Sequence, residues 1–259
     1  MAMIQLALKE GVGTITLDHD TKRNILGEVL VDEIGDALAE FERLNTRAVI
    51  LRANPGVKVW SAGHDVEELP KSGHDPLKWG DPLRKLVRDI EAFSAPVIAL
   101  IDGSVWGGAC EVVLACDIIV ATPEASFAAT PARLGVPYNA TGLLTYLNAA
   151  PLRIAKEMLF TAKPIFASRL ERLGMINHVI PADEITAFCE NMAVDIANNA
   201  PLAVSVMKEQ LRILSGARAM SPYDFERIQG LRRVVYSSED YEEGKRALVE
   251  KRKPVFRGE

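Results

Sequence analysis

Residues 102–117 read DGSVWGGACEVVLACD. They follow PVIALI, residues 96–101, an apolar run of strand length. Asp102-Gly103-Ser104 turns the chain, and Gly107-Gly108 opens an apolar helix that runs through Cys116. A buried strand, a turn of small residues and a helix opening on glycine make one piece of an α/β unit. The first N–H groups of a helix have no intrahelical partner, the helix dipole adds positive charge there, and glycine keeps side chains out of the way. Together these features suit an anion. A tight packing turn between strand and helix is the plainer reading of the same residues.

The same alternation continues on both sides. Upstream, Met3–Leu8 and Gly13–Leu17 read as a hairpin. Apolar residues from Leu26 to Phe41 recur at helical spacing and predict an amphipathic helix over about Gly27–Leu44. Ala48–Arg52 is a short buried strand, residues 54–69 are irregular, and Pro82–Phe93 is helical. Downstream, Ile118–Ala121 and Ser126–Ala129 are strands. Short helices follow over Leu143–Leu147, Leu152–Phe160 and Ala167–Leu173, then a last strand over Met175–Ile180. Ala182–Ala197, Pro201–Leu214, Pro222–Tyr236 and Tyr241–Lys251 are helices. The pattern is α/β with right-handed crossovers and a helical tail. It divides into a core over residues 1–198 and a helical region over residues 199–259.

Composition excludes several classes. The chain has 259 residues, and its 30 Lys and Arg nearly balance 35 Asp and Glu for a net charge of −5. No long basic block offers a nucleic-acid surface; Lys251-Arg252-Lys253 is the local exception. No apolar stretch approaches the ~18–20 residues of a membrane span. Cys110, Cys116 and Cys189 form no CxxC and no metal-ligand spacing, so neither a metal site nor a disulfide framework is expected. With no signal-peptide pattern at the N-terminus, the expectation is a cytoplasmic protein.

A second segment, WSAGHDVEEL at residues 60–69, places His64 in a loop of small residues after a strand. Its imidazole has no acid or histidine at metal spacing, so the plain reading is a surface histidine. Its backbone is a separate matter. VWSAGHDVEEL (59–69), GSVWGGACEVVLACDIIVAT (103–122), SFAATPARLGVPYNATG (126–142) and ERLGMINHVI (171–180), in that order, resemble the crotonase (enoyl-CoA hydratase/isomerase) superfamily over essentially the whole chain. The resemblance implies a spiral of ββα turns with a helical C-terminal trimerisation region. It also implies that the amides of His64 and Gly108 form an oxyanion hole for an acyl-CoA thioester, where two fixed donors meet charge developing on the carbonyl oxygen.

Which bond breaks is a finer question. Hydratases of the superfamily carry two glutamates. Glu111 matches the first, but Pro131 stands at the second, and proline exchanges no proton. SAGHD and ELP (61–70), SVWGGA (104–109), TP and LGVPYN (130–139) and EKRKP (250–254) resemble a decarboxylating branch. That resemblance implies methylmalonyl-CoA as substrate and propionyl-CoA and carbon dioxide as products, with the thioester as electron sink and no biotin, metal or other cofactor. Tyr138 and Thr130, each with a hydroxyl donor, are the candidates to orient the substrate carboxylate. A solvent-facing phenol and a helix N-cap before Pro131 are their plain alternatives. Glu111 would repel that carboxylate unless paired, protonated or turned away, so it is not expected to be the principal catalytic group. Ala62, Gly63, Asp65 and Val66 are candidates for the coenzyme A contact, with Lys251 and Arg23 as candidate phosphate contacts. Self-association as a trimer or a dimer of trimers is implied. Enoyl-CoA hydration or isomerisation, and a non-catalytic acyl-CoA-binding role, stay open as alternatives.

Overall fold

Strands β1 (Ile4–Lys9) and β2 (Val12–Leu17) pair as the expected hairpin. Glu10 and Gly11 at its tip both have positive φ, the two-residue turn whose twist suits antiparallel strands. Helix α1 (Glu28–Arg43) follows and buries Leu30, Ile34, Leu38 and Phe41 along one stripe. These assignments come from a computed structural model that describes residues 2–259.

From β3 onward the chain repeats a unit of two strands and a helix. The first unit is β3 (Ala48–Ala53), β4 (Val59–Ser61) and α2 (Pro82–Ala92). The second is β5 (Val97–Ile101), β6 (Ser104–Trp106) and α3 (Gly108–Ala115). The third is β7 (Ile118–Ala121), β8 (Ser126–Ala128), a 3-10 turn at Pro131–Leu134 and α4 (Ala140–Ala149). In each unit the first strand enters a large sheet and the second a small one. After α5 (Leu152–Thr161), β9 (Ile165–Phe166), α6 (Ala167–Arg172) and β10 (His178–Val179), the two sheets are complete. Their orders are β1-β2-β3-β5-β7-β10 and β4-β6-β8-β9.

The large sheet is parallel from β2 to β10 and buried on both faces, which requires apolar residues at both parities of each strand. Val49, Leu51, Val97, Ala99 and Ile101 face the main core under α1–α3. Ala48, Ile50, Ile98 and Leu100 face α7 (Ile185–Ala197), which meets them with Ile185, Cys189 and Ala193. This two-sided demand is why AVILR and PVIALI read as continuous apolar runs.

The small sheet departs from the sequence expectation. Residues 54–69 contain β4, Ser104–Trp106 is a strand and not only a turn, and the strand expected over Met175–Ile180 narrows to two residues. Strands of two or three residues are too short to display an alternation, so only their pairing reveals them.

The tail has two parts. Helix α8 (Pro201–Gly216) buries no residue of its own and exposes Leu202, Leu211 and Leu214. Helices α9 (Pro222–Tyr236) and α10 (Glu239–Val249) fold back onto the core. A Cβ on Gly244 would lie 2.4 Å from the Leu134 carbonyl oxygen, so α10 rests directly on the 3-10 turn. The Tyr241 hydroxyl donates to the Pro70 carbonyl at 2.8 Å and ties α10 to the loop after β4.

Candidate active site

The loop after β4 is clamped by the residues before α1. The buried Asn24 side chain donates to the Trp60 carbonyl at 3.0 Å, and Ser61 Oγ donates to the Asn24 carbonyl at 2.7 Å. The amides of Ala62 and Gly63 donate to the Arg23 carbonyl and to Ser61 Oγ, and Asp65 N donates to the Leu26 carbonyl. His64 N–H, between these bonded neighbours, has no acceptor among the described residues. Gly108 N–H, at the first position of α3, has none either, as a helix start dictates.

The two amides belong to loops in contact. Gly63 has φ +88°, and a Cβ there would lie 2.4 Å from the Trp106 carbonyl oxygen and 3.0 Å from Gly108 N. A Cβ on Gly108 would lie 3.5 Å from His64 N and 2.7 Å from Leu83 Cδ2. At position 63 only glycine lets the loops close to this distance, because a Cβ there would meet backbone. Both amides open into one cavity of about 400 Å³, walled also by Arg23, Ala62 and Val66, by Thr130, Pro131 and Tyr138, and by Leu248 of α10. Arg133 lines it as well, while among the described residues no Asp or Glu does.

The His64 ring is neither solvent-facing nor aimed at a metal. Nε2 lies 2.8 Å from Asp81 Oδ2 and Nδ1 lies 2.8 Å from the Asp65 carbonyl oxygen. Burial pushes its pKa down, but the Asp81 bond and charge, the Asp65 carbonyl and the Glu68 charge outweigh it and hold the ring above the ordinary histidine value. Asp81 also caps α2 by accepting from Arg84 N. Among the described residues no group of three His, Cys, Asp or Glu is placed to hold a metal, and no helix is long and apolar enough to cross a membrane.

Thr130 precedes the 3-10 turn but its hydroxyl makes no cap bond; it sits 3.1 Å from where a Gly107 Cβ would be, over the start of α3. Tyr138 is held by its successor. Asn139 caps α4 by accepting from Gly142 N at 2.8 Å and donates to the Leu77 carbonyl at 3.0 Å. The Tyr138 ring meets fully buried Tyr146 edge-on, with their hydroxyl oxygens 3.2 Å apart. Burial, with the charge of Glu111, raises the Tyr138 pKa well above the usual phenol value, so it stays a donor.

Glu111 lies one turn into α3, fully buried, and Arg84 of α2 donates to its Oε1. Burial pushes its pKa up to about 7 despite the Arg84 charge. Its second oxygen has no hydrogen-bond partner among the described residues. Of the alternatives weighed for Glu111, the structure has it paired and off the cavity wall. The sequence reading missed Arg84, Asp81, Arg133 and Leu248. The Asp81-Pro82 pair is an N-cap and N1 signal for α2, but nothing local shows that Arg84 reaches Glu111. Of the other candidates, Gly63 lies behind the wall, Asp65 spends its carboxylate capping the turn at Val66–Glu68, and Lys251 sits exposed beyond α10, outside the cavity.

Residues 7–259 match the family described as enoyl-CoA hydratase/isomerase. The chain belongs to the enoyl-CoA hydratase/isomerase family. Within that family it is 47% identical to the methylmalonyl-CoA decarboxylase of Escherichia coli strain K12 over 95% of both chains. It is 31% identical to a carnitinyl-CoA dehydratase of Citrobacter koseri over 94% of both. A solved methylmalonyl-CoA decarboxylase in complex with 2-nitronate-propionyl-CoA is 45% identical and superposes with a TM-score of 0.97, covering 99% of each chain. This member of the family therefore shares the crotonase-type fold, with paired strands per turn and a helical C-terminal region.

Proposed function

We propose that this enzyme decarboxylates methylmalonyl-CoA to propionyl-CoA and carbon dioxide. The observation that carries the reading is a cavity with two amides and hydroxyl donors in which, among the described residues, the amides have no acceptor and no carboxylate lines the wall. Hydration and α-proton removal need a carboxylate or other base within reach of the substrate. Decarboxylation needs none: the bond from C2 to the carboxylate breaks, its electron pair becomes the enolate, and carbon dioxide leaves. The thioester oxygen receives the charge, held by His64 N–H and Gly108 N–H. Because the thioester is itself the electron sink, the reaction calls for no biotin, metal or other cofactor, and coenzyme A enters as part of the substrate. Likeness to relatives described as methylmalonyl-CoA decarboxylases supports the substrate.

In this reading Thr130 and Tyr138 donate to the substrate carboxylate and hold it perpendicular to the thioester plane, so that the breaking bond overlaps the carbonyl π system. Pro131 and Leu83 line the apolar side, and Tyr138 relays a proton to C2 after carbon dioxide has left. Ala62 and Val66 meet the pantetheine or adenine, with Gly63 and Asp65 shaping their loop. Arg23 and Lys251 serve the phosphates. Residues 199–259 form the oligomerisation region of a trimer or dimer of trimers, a reading supported by the apolar surface of α8.

One assay decides. Incubation with methylmalonyl-CoA and with crotonyl-CoA is expected to release carbon dioxide from the first and leave the enoyl absorbance of the second unchanged. Loss of the enoyl absorbance without carbon dioxide release would make the enzyme a hydratase. Tight acyl-CoA binding with turnover of neither would make it a binding protein.

A further inference from the structure

Both nitrogens of the His64 ring face oxygen atoms. The Asp65 carbonyl, 2.8 Å from Nδ1, only accepts, and so does an ionised Asp81 carboxylate, 2.8 Å from Nε2. A neutral imidazole has one N–H and cannot satisfy two acceptors; an imidazolium can. The ring is nearly buried, with side chains at positions 64 and 81 only 10% and 7% exposed, so an unmatched nitrogen would not be rescued by bulk water. The same residue's backbone N–H is one of the two that open into the cavity.

We propose that Asp81 is a positioning residue for the oxyanion hole: it holds the His64 ring as an imidazolium and so fixes the His64 amide opposite Gly108. This rests on the oxyanion-hole reading above. The geometry makes a closed linkage. Asp81 is the N-cap of α2, Leu83 of the same helix lies over the Cα side of Gly108, and the His64 ring joins the loop after β4 to that helix end. The Ala62 and Asp65 amides tie the loop to the segment before α1, and the ring bridge ties it to α2.

The charged groups facing the ring are Asp81 from α2 and Glu68 from the turn after the loop. The Asp65 carboxylate is engaged with Glu67 N, and Arg84 beyond Asp81 is engaged with Glu111. Both facing groups favour the charged ring. The ring charge is lost as pH rises through its raised pKa. Removing the Asp81 charge moves that loss to lower pH.

The test uses Asp81→Asn, which keeps an N-cap side chain, beside His64→Gln, which keeps the backbone amide. Three readouts are taken: nitrogen NMR of the His64 ring, affinity for a nitronate analogue of propionyl-CoA against propionyl-CoA itself, and the pH profile of turnover. In the wild type both ring nitrogens are expected to be protonated at pH 7. In Asp81→Asn the nitronate, which carries the enolate charge, should lose roughly tenfold in affinity, less than the 10²–10³-fold effect of deleting an oxyanion donor. Propionyl-CoA should be held as before, and the alkaline limb of turnover should move toward lower pH. A neutral His64 ring in the wild type overturns the proposal, as does equal weakening of both ligands in the two variants. A wild type that fails to prefer the nitronate over propionyl-CoA would instead count against the oxyanion hole itself, which separates the two failures.

Discussion

Arg84 on α2 pairs with Glu111 on α3, across 27 residues of sequence, and both side chains are buried. This pair takes up the one glutamate that matches a hydratase carboxylate; among the described residues no Asp or Glu lines the cavity, whose mostly apolar wall carries Arg23, Arg133 and the hydroxyls of Thr130 and Tyr138. An unpaired Glu111 beside Tyr138 would oppose the substrate carboxylate by like charge.

Replacing Glu111 with Gln should therefore spare catalysis. Steady-state decarboxylation is expected to stay within roughly tenfold of wild type, against the 10²–10³-fold cost of a lost oxyanion donor. A loss as large as that from blocking the oxyanion hole would return Glu111 to a direct role in the reaction.

The same substitution should change how stability responds to pH. Burial pushes the Glu111 pKa up to about 7, above the ordinary glutamate value of 4.5. The folded state thus binds the proton more tightly, and wild type loses stability as pH rises from about 4.5 to about 7. Glu111→Gln lacks this titration. The Tm of the variant minus that of wild type should become more positive between pH 5 and pH 8; a constant difference would mean that Glu111 titrates normally.

Gly108→Ala would place a methyl 2.7 Å from Leu83 Cδ2 and 3.5 Å from His64 N. On the oxyanion-hole reading the methyl intrudes on the thioester oxygen. Turnover should fall by about 10²-fold or more, as for loss of an oxyanion donor, with the circular dichroism spectrum retained. Near-normal kcat would relocate the oxyanion hole.

Tyr138→Phe removes a donor from the cavity and leaves the Tyr146 hydroxyl without its partner. A hydrogen bond to a charged group contributes ~1.5–3 kcal/mol, so kcat/KM for methylmalonyl-CoA should fall about 10- to 100-fold. Binding of propionyl-CoA, which has no carboxylate to orient, should hardly change; parallel losses for the two ligands would assign Tyr138 to packing alone.

The exposed leucines of α8 suit a subunit contact. Leu211→Asp should shift the protein to a smaller species in sedimentation velocity, since a charge resists burial in an apolar contact. An unchanged sedimentation coefficient would remove α8 from the interface.

Much of this arrangement is legible in the residues themselves. Helical spacing from Leu26 to Phe41 marks α1, two-sided apolar runs mark β3 and β5, and the small-residue loops at 61–64 and 104–109 mark where backbone amides open. These signals are local, because each depends on spacing within one element. Tertiary structure alone decided the rest. Strands such as Val59–Ser61 carry no periodicity and exist through their partners. Asp81 meets His64 across 17 residues, and Arg84 meets Glu111, only because α2 lies between the loop after β4 and α3. Whether a buried carboxylate acts, pairs or titrates depends on what packing sets against it, and spacing along the chain carries no record of that.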